Sequence, residues 1–159
     1  MTAAEVIFST IENIKIAEMI LCEDGGGTAR HALTNPILML HGWGANLKLM
    51  QPLGERLAAL GYGVFIPDLP GFGESDPPPV AWSVLDYAKF VVAYMNTHEL
   101  AQVYLFGHSF GGDIRHGVVE FRNQLHQRRR QEDRHKQCAA AERNQRSDES
   151  HAAHSSLIT

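Results

Sequence analysis

Several things are scarce in this sequence, and each scarcity excludes a class of protein. There are only 2 cysteines in 159 residues. Cys22 and Cys138 lie far apart in no metal-like or redox spacing, which argues against a disulfide framework. No run approaches the roughly 18 apolar residues that a bilayer span requires. The opening MTAAEVIFSTIENI carries no basic stretch followed by an apolar segment and a cleavage site, so no secretory signal is read there. The net charge of -4 gives no reason to expect a nucleic acid or a membrane surface as partner of the whole molecule. His116, His126, His135 and Cys138 have no zinc-site spacing, and no cofactor is implied. A reduced, cytoplasmic protein is the expectation.

Arginine is scarce in one part only. Residues 1–112 contain 2 of the 10 arginines, with 5 Lys+Arg against 11 Asp+Glu. Residues 113–159 contain 9 against 7, and only 7 residues there are Leu, Ile, Val, Met or Phe. Two kinds of sequence meet near Gly112, which divides the chain into a partial domain at 1–112 and an atypical polar tail at 113–159.

The first part alternates strands and helices. Val6 to Thr10 and Ile14 to Leu21 flank Glu12-Asn13, the pattern of an antiparallel hairpin. Gly25-Gly26-Gly27 and Asn35-Pro36 break the chain, and Ile37 to Leu40 is a short unbroken apolar run, as a doubly buried strand should be. A helix is expected over about Leu49 to Leu60, with Leu53, Leu57 and Leu60 on one face and Gly61 as its stop. Val64 to Ile66 reads as the next buried strand. Ser83 and Asp86 have capping-box spacing at the start of a helix that carries Leu85, Val91, Val92 and Met95 toward a core. Val103 to Phe106 is the third buried strand. Strands alternating with helices across short connections specify a parallel sheet with helices on its faces.

That last strand feeds Gly107-His108-Ser109-Phe110-Gly111. A serine hydroxyl is a weak nucleophile until a base takes its proton and donors hold the oxyanion formed on attack. A sharp strand-to-helix turn exposes the serine at its apex, and glycines two before and two after keep the backbone from clashing. Gly107 and Gly111 occupy those positions, and Gly112 adds room for helix packing. Upstream, Gly42 and Gly44 let the backbone after His41 turn sharply. The natural oxyanion donors are the backbone N–H groups of Trp43 and Phe110.

His41-Gly42-Trp43-Gly44, the stretch Asp68 to Ser75 (DLPGFGES) and Gly107 to Gly112 together closely resemble the α/β-hydrolase family, in its HGxG, DxxGxGxS and GHSxGG branch. The resemblance covers about residues 5 to 112. It implies the N-terminal half of an α/β-hydrolase sheet: an antiparallel hairpin plus three parallel strands with helices, truncated after the nucleophile turn. It further implies Ser109 as catalytic nucleophile, Trp43 and Phe110 as oxyanion-hole amides, and a small-molecule ester-like substrate in the intact family. The chain resembles serine-using members rather than the dehalogenases and epoxide hydrolases, which place Asp here. The plainer alternatives are an ordinary turn at Ser109 and ring packing at Trp43. Asp68 and Ser75 are expected to organise their loop by hydrogen bonds. His41 is expected to be structural within its loop, and His98 and His31 to be surface histidines.

The family continues with further strands, an acid and a histidine, in the order Ser, acid, His. Only 50 residues follow Ser109 here, and none reads as a buried strand. Asp133, Asp148, His135, His151 and His154 are present, but none is assigned as acid or base. Ile114, Val118, Val119 and Leu125 support one short helix to about Gln127; the remainder, with dense charge and little apolar content, is expected to be disordered or weakly helical. Its Arg, Gln, His, Ser and Ala bias resembles a coding sequence read out of frame, which the gene's other two frames would test. The strand before Ser109 would then lie at an open sheet edge, favouring self-association and marginal stability. Two functions follow: an ester-cleaving serine hydrolase impaired by the missing acid and histidine, or a non-catalytic module that completes its sheet with a partner chain.

Overall fold

The computed structural model describes residues 5–22 and 36–155, with side-chain surroundings up to residue 137. Gly25-Gly26-Gly27 and His31 lie outside the described residues. β1 (Val6–Ile11) and β2 (Ile14–Leu21) form the expected antiparallel hairpin. Glu12 and Asn13 both adopt positive φ, 49° and 64°, as a two-residue turn matching strand twist requires. β3 (Ile37–Leu40), β4 (Val64–Pro67) and β5 (Tyr104–Gly107) complete a five-stranded sheet in the order β1-β2-β4-β3-β5. β3 runs parallel to both β4 and β5, and β2 is antiparallel to β4.

Helices α1 (Leu47–Ala58), α2 (Val84–Thr97) and α3 (Phe110–Ser155) connect or follow the strands. Two buried clusters lie on the two faces of the sheet. On one face Ile16, Leu38, Leu40 and Phe65 pack with Tyr87, Val91 and Tyr94 of α2 and with Ile114 and Val118 of α3. On the other, Ala17, Met19, Met39 and Ile66 pack with Leu47, Met50 and Ala58 of α1. The alternation along β2 assigns its residues to one cluster or the other.

The rotation of α1 differs from the expectation. Its buried residues are Leu47, Met50, Gly54 and Ala58, while Leu53 and Leu60 are 41% and 74% exposed. Gly54 decides this: a Cβ there would lie 2.6 Å from Ile66 Cδ1 and 3.2 Å from Leu21 Cδ1, so the helix approaches the sheet through its smallest residue. On α2 the capping box is present in both directions between Ser83 and Asp86. Val91 and Met95 are buried and Val92 is packed against the same cluster, but Leu85 shares its side of the helix with Lys89 and is exposed. β5 lies at the sheet edge expected for it, and it is less buried than an unbroken apolar run implies: Tyr104 is 60% and Phe106 43% exposed.

The chain divides into two compact units, Met1–Phe121 and Arg122–Thr159. In the second, α3 continues as helix to Ser155 where the low apolar content argued for disorder. Residues 123–137 are exposed. No glycine or proline follows Gly117, and Ala, Glu, Gln and Arg recur, so local helix propensity favours this conformation without burial.

Candidate active site

β5 ends at Gly107 and α3 begins at Phe110, so Ser109 occupies the turn between them. Its φ of 51° is one that residues with a Cβ rarely adopt. Strain of this kind persists only where surroundings enforce it. Here they do. A Cβ on Gly107 would lie 2.2 Å from the Gly111 carbonyl oxygen, and one on Gly111 would lie 2.2 Å from that of Leu40. The His108 N–H donates to the Leu40 carbonyl (3.0 Å) and the Gly112 N–H to the Ser109 carbonyl (2.6 Å), which ties the turn to β3 and starts the helix. The Ser109 side chain is exposed at this apex.

The loop after β3 comes directly alongside. A Cβ on Gly42 would lie 3.3 Å from Ser109 Cβ and 3.1 Å from His108 Nδ1. The Ala45 N–H closes a turn onto the Gly42 carbonyl at 3.2 Å, and Gly44 within it has a φ of 68°, the position such turns reserve for glycine. The Trp43 ring is 70% exposed and packs edge-on against Phe110 at 5.2 Å and Phe72 at 5.1 Å between centroids. Phe110 in turn meets Tyr87 at 5.3 Å. The residues read as a site are thus adjacent: Ser109, Gly42, Trp43 and Phe110 line one end of the sheet above β3 and β5.

Asp68 organises the loop after β4. Its carboxylate accepts from the Leu47 N–H at 2.6 Å, capping α1, and from the Glu74 N–H at 2.9 Å. The Ser75 hydroxyl donates to the Asp68 carbonyl (2.8 Å) and accepts from the Ala17 N–H (3.0 Å). Gly73 is required here, since a Cβ would lie 1.9 Å from Asp68 Oδ2. A cavity of about 170 Å³ beside this loop, lined by Asn46, Lys48, Asp68 and Glu74 among others, includes neither Ser109 nor the aromatic group.

No acid or base among the described residues joins the serine. Among the described residues no hydrogen bond reaches the Ser109 hydroxyl. Asp133 and His135 are exposed on α3, and the side chains of Asp148, His151 and His154 lie outside the described ones. No group of three His, Cys, Asp or Glu suited to a metal occurs among the described residues, and no helix there is long and apolar enough to cross a membrane.

Two features escaped the sequence reading. Phe72 joins Trp43, Tyr87 and Phe110 in one aromatic group, and nothing local in the sequence signals that convergence. The second is buried charge. Glu18 is 0% exposed on β2, where the Tyr94 hydroxyl donates to its carboxylate and His98 Nε2 lies 3.0 Å away. Burial pushes the Glu18 carboxyl up, but the adjacent His98 imidazole and the Tyr94 hydrogen bond outweigh it and hold it below the usual carboxylate range. His98 is therefore no surface histidine: it is 3% exposed, drawn in by Glu18 and packed on Tyr94. Glu18, the one charge within the apolar stretch IAEMIL, is the available signal.

Residues 35–115 match the family described as alpha/beta hydrolase fold, and the chain belongs to that family. It is 38% identical over 82 residues to an AB hydrolase superfamily protein, YisY, of Bacillus subtilis, covering 50% of this chain and 30% of that protein. To Lipase 1 of Psychrobacter immobilis it is 33% identical over 104 residues, 61% of this chain and 29% of the lipase. The crystal structure of a membrane phospholipase A superposes with a TM-score of 0.59 at 27% identity, covering 70% of this chain and 33% of that one. The chain spans between 23% and 30% of the length of the curated relatives it matches.

Proposed function

We propose that this chain carries the nucleophile and oxyanion loop of a serine hydrolase acting on esters or related acyl bonds. The observation that carries the proposal is Ser109 held at positive φ, exposed, with Gly42 pressed against its Cβ. In the reaction Ser109 Oγ bonds to the acyl carbon and its proton passes to a base. The carbonyl π electrons move onto oxygen, where the Trp43 and Phe110 N–H groups receive the charge, and the leaving alkoxide departs with a proton. No cofactor is needed. With no base hydrogen-bonded to Ser109 among the described residues, turnover by this chain alone is expected to be slight.

The test is labelling of the full chain with a fluorophosphonate probe, located by mass spectrometry, beside hydrolysis of an activated p-nitrophenyl ester. An adduct on Ser109 that Ser109→Ala abolishes supports the proposal. An unlabelled, folded chain refutes it. The open β5 edge, with Tyr104 and Phe106 exposed, favours a second reading. There the chain is a non-catalytic module whose sheet is completed by another chain.

A further inference from the structure

We infer that His41 is the positioning residue of the oxyanion loop, fixing the Gly42–Trp43 peptide so that the Trp43 N–H faces the Ser109 side. The inference takes its chemical meaning from the hydrolase reading of Ser109, while its geometry stands without it.

His41 is 0% exposed, and both ring nitrogens are engaged. The Leu69 N–H donates to Nε2 at 2.9 Å, so Nε2 carries the lone pair and the proton is on Nδ1. That Nδ1–H donates to the Gly42 carbonyl at 2.8 Å. The tautomer is thereby assigned by its partners. The peptide after Gly42 is trans, and in a trans peptide C=O and N–H point in opposite directions. Holding the carbonyl against the buried imidazole, where the Ala45 N–H also reaches it, turns the Trp43 N–H to the opposite side of the peptide, and Gly42 itself lies against Ser109. His41 also joins two loops, since Leu69 begins the segment organised by Asp68.

Only the neutral ring can hold both loops at once, donating to Gly42 while accepting from Leu69. A proton on Nε2 would set a second N–H against that of Leu69. Burial lowers the affinity of His41 for that proton, although its Gly42 hydrogen bond and the Asp68 charge act the other way. The titratable groups around it are Asp68 on the next loop and His108 beside Gly42.

Nitrogen-15 NMR of the full chain tests this without any variant. The expected result is a neutral Nδ1–H ring at pH 7, with the Trp43 backbone amide shifting at the same acidic midpoint as the His41 ring. An Nε2–H tautomer, or separate midpoints, would overturn the inference. His41→Asn retains a donor for the Gly42 carbonyl and is expected to keep the Trp43 amide resonance. His41→Ala is expected to move it and to slow phosphonate labelling of Ser109 by about 10- to 100-fold. A folded His41→Ala chain with an unmoved Trp43 amide also overturns the inference. If wild-type Ser109 is not labelled at all, the hydrolase reading falls, and the amide resonance still decides the role of His41.

Discussion

A methyl group added at Gly111 would meet the Leu40 carbonyl at 2.2 Å and the His41 carbonyl at 2.8 Å, and neither is a side chain that can swing away. At Gly44 a methyl group meets nothing within 4 Å, and only the φ of 68° opposes it. The two substitutions should therefore separate clearly. Gly111→Ala is expected to cost about 3 kcal/mol, and Gly44→Ala about 1 kcal/mol, both measurable by urea unfolding. Equal costs would mean the close contact of the serine turn with β3 is absent in solution. Protonation offers another residue-scale measurement. His41 has a proton affinity lowered by burial, so the fold favours its neutral form, and the associated stability is lost as pH falls below the ordinary value of 6.5. Glu18 is held below its ordinary 4.5, so its stabilisation is present above that value and is lost as pH falls further. The melting temperature should decline in these two successive windows, and His41→Gln should flatten only the first.

At the scale of elements, α1 shows how a correct periodicity can still give the wrong face. Leu53, Leu57 and Leu60 are the residues an apolar pattern singles out, yet only Leu57 packs against the cluster, while Leu53 and Leu60 are 41% and 74% exposed. The sheet is met by Leu47, Met50, Gly54 and Ala58 instead. Leu53→Gln with Leu60→Gln is accordingly expected to change stability by less than about 0.5 kcal/mol per site. Met50→Ala, which empties space in a closed cluster, should cost about 2 kcal/mol or more. Calorimetry of the two variants distinguishes the faces. β2 makes the complementary point. It was expected only as one arm of a hairpin, yet beyond the exposed Lys15 it is buried on both faces, and Glu18 is accommodated because Tyr94 and His98 supply partners.

For the whole molecule, the open question is what meets the β5 edge. Its four residues pair with β3 on one side only, and two of their side chains are aromatic and exposed. If the chain serves as a module that completes its sheet with another copy, sedimentation should show association rising with concentration. Phe106→Lys should suppress it, since charge on an edge strand opposes further pairing. A chain that stays monomeric over the whole range would remove that reading and leave the hydrolase one.

Much of this protein was readable from residue order. The turn residues Glu12-Asn13, the buried runs Ile37 to Leu40 and Val64 to Ile66, the Ser83–Asp86 cap and the glycines around Ser109 are local features, set by backbone sterics and short-range hydrogen bonds. Three such motifs in order also specified the family. What only the tertiary structure decided depends on approach between distant segments: Gly54 against Ile66, Gly42 against Ser109, Phe72 among the other aromatics, and His98 drawn inward by Glu18. The helical course of α3 past Gln127 is more regular than the expected disorder or weak helicity, for the opposite reason. Helix hydrogen bonds are local and need no core, so burial was the wrong criterion there. Sequence determined which residues stand at the serine turn; tertiary packing determined that His41, behind the neighbouring loop, holds a peptide in place beside it.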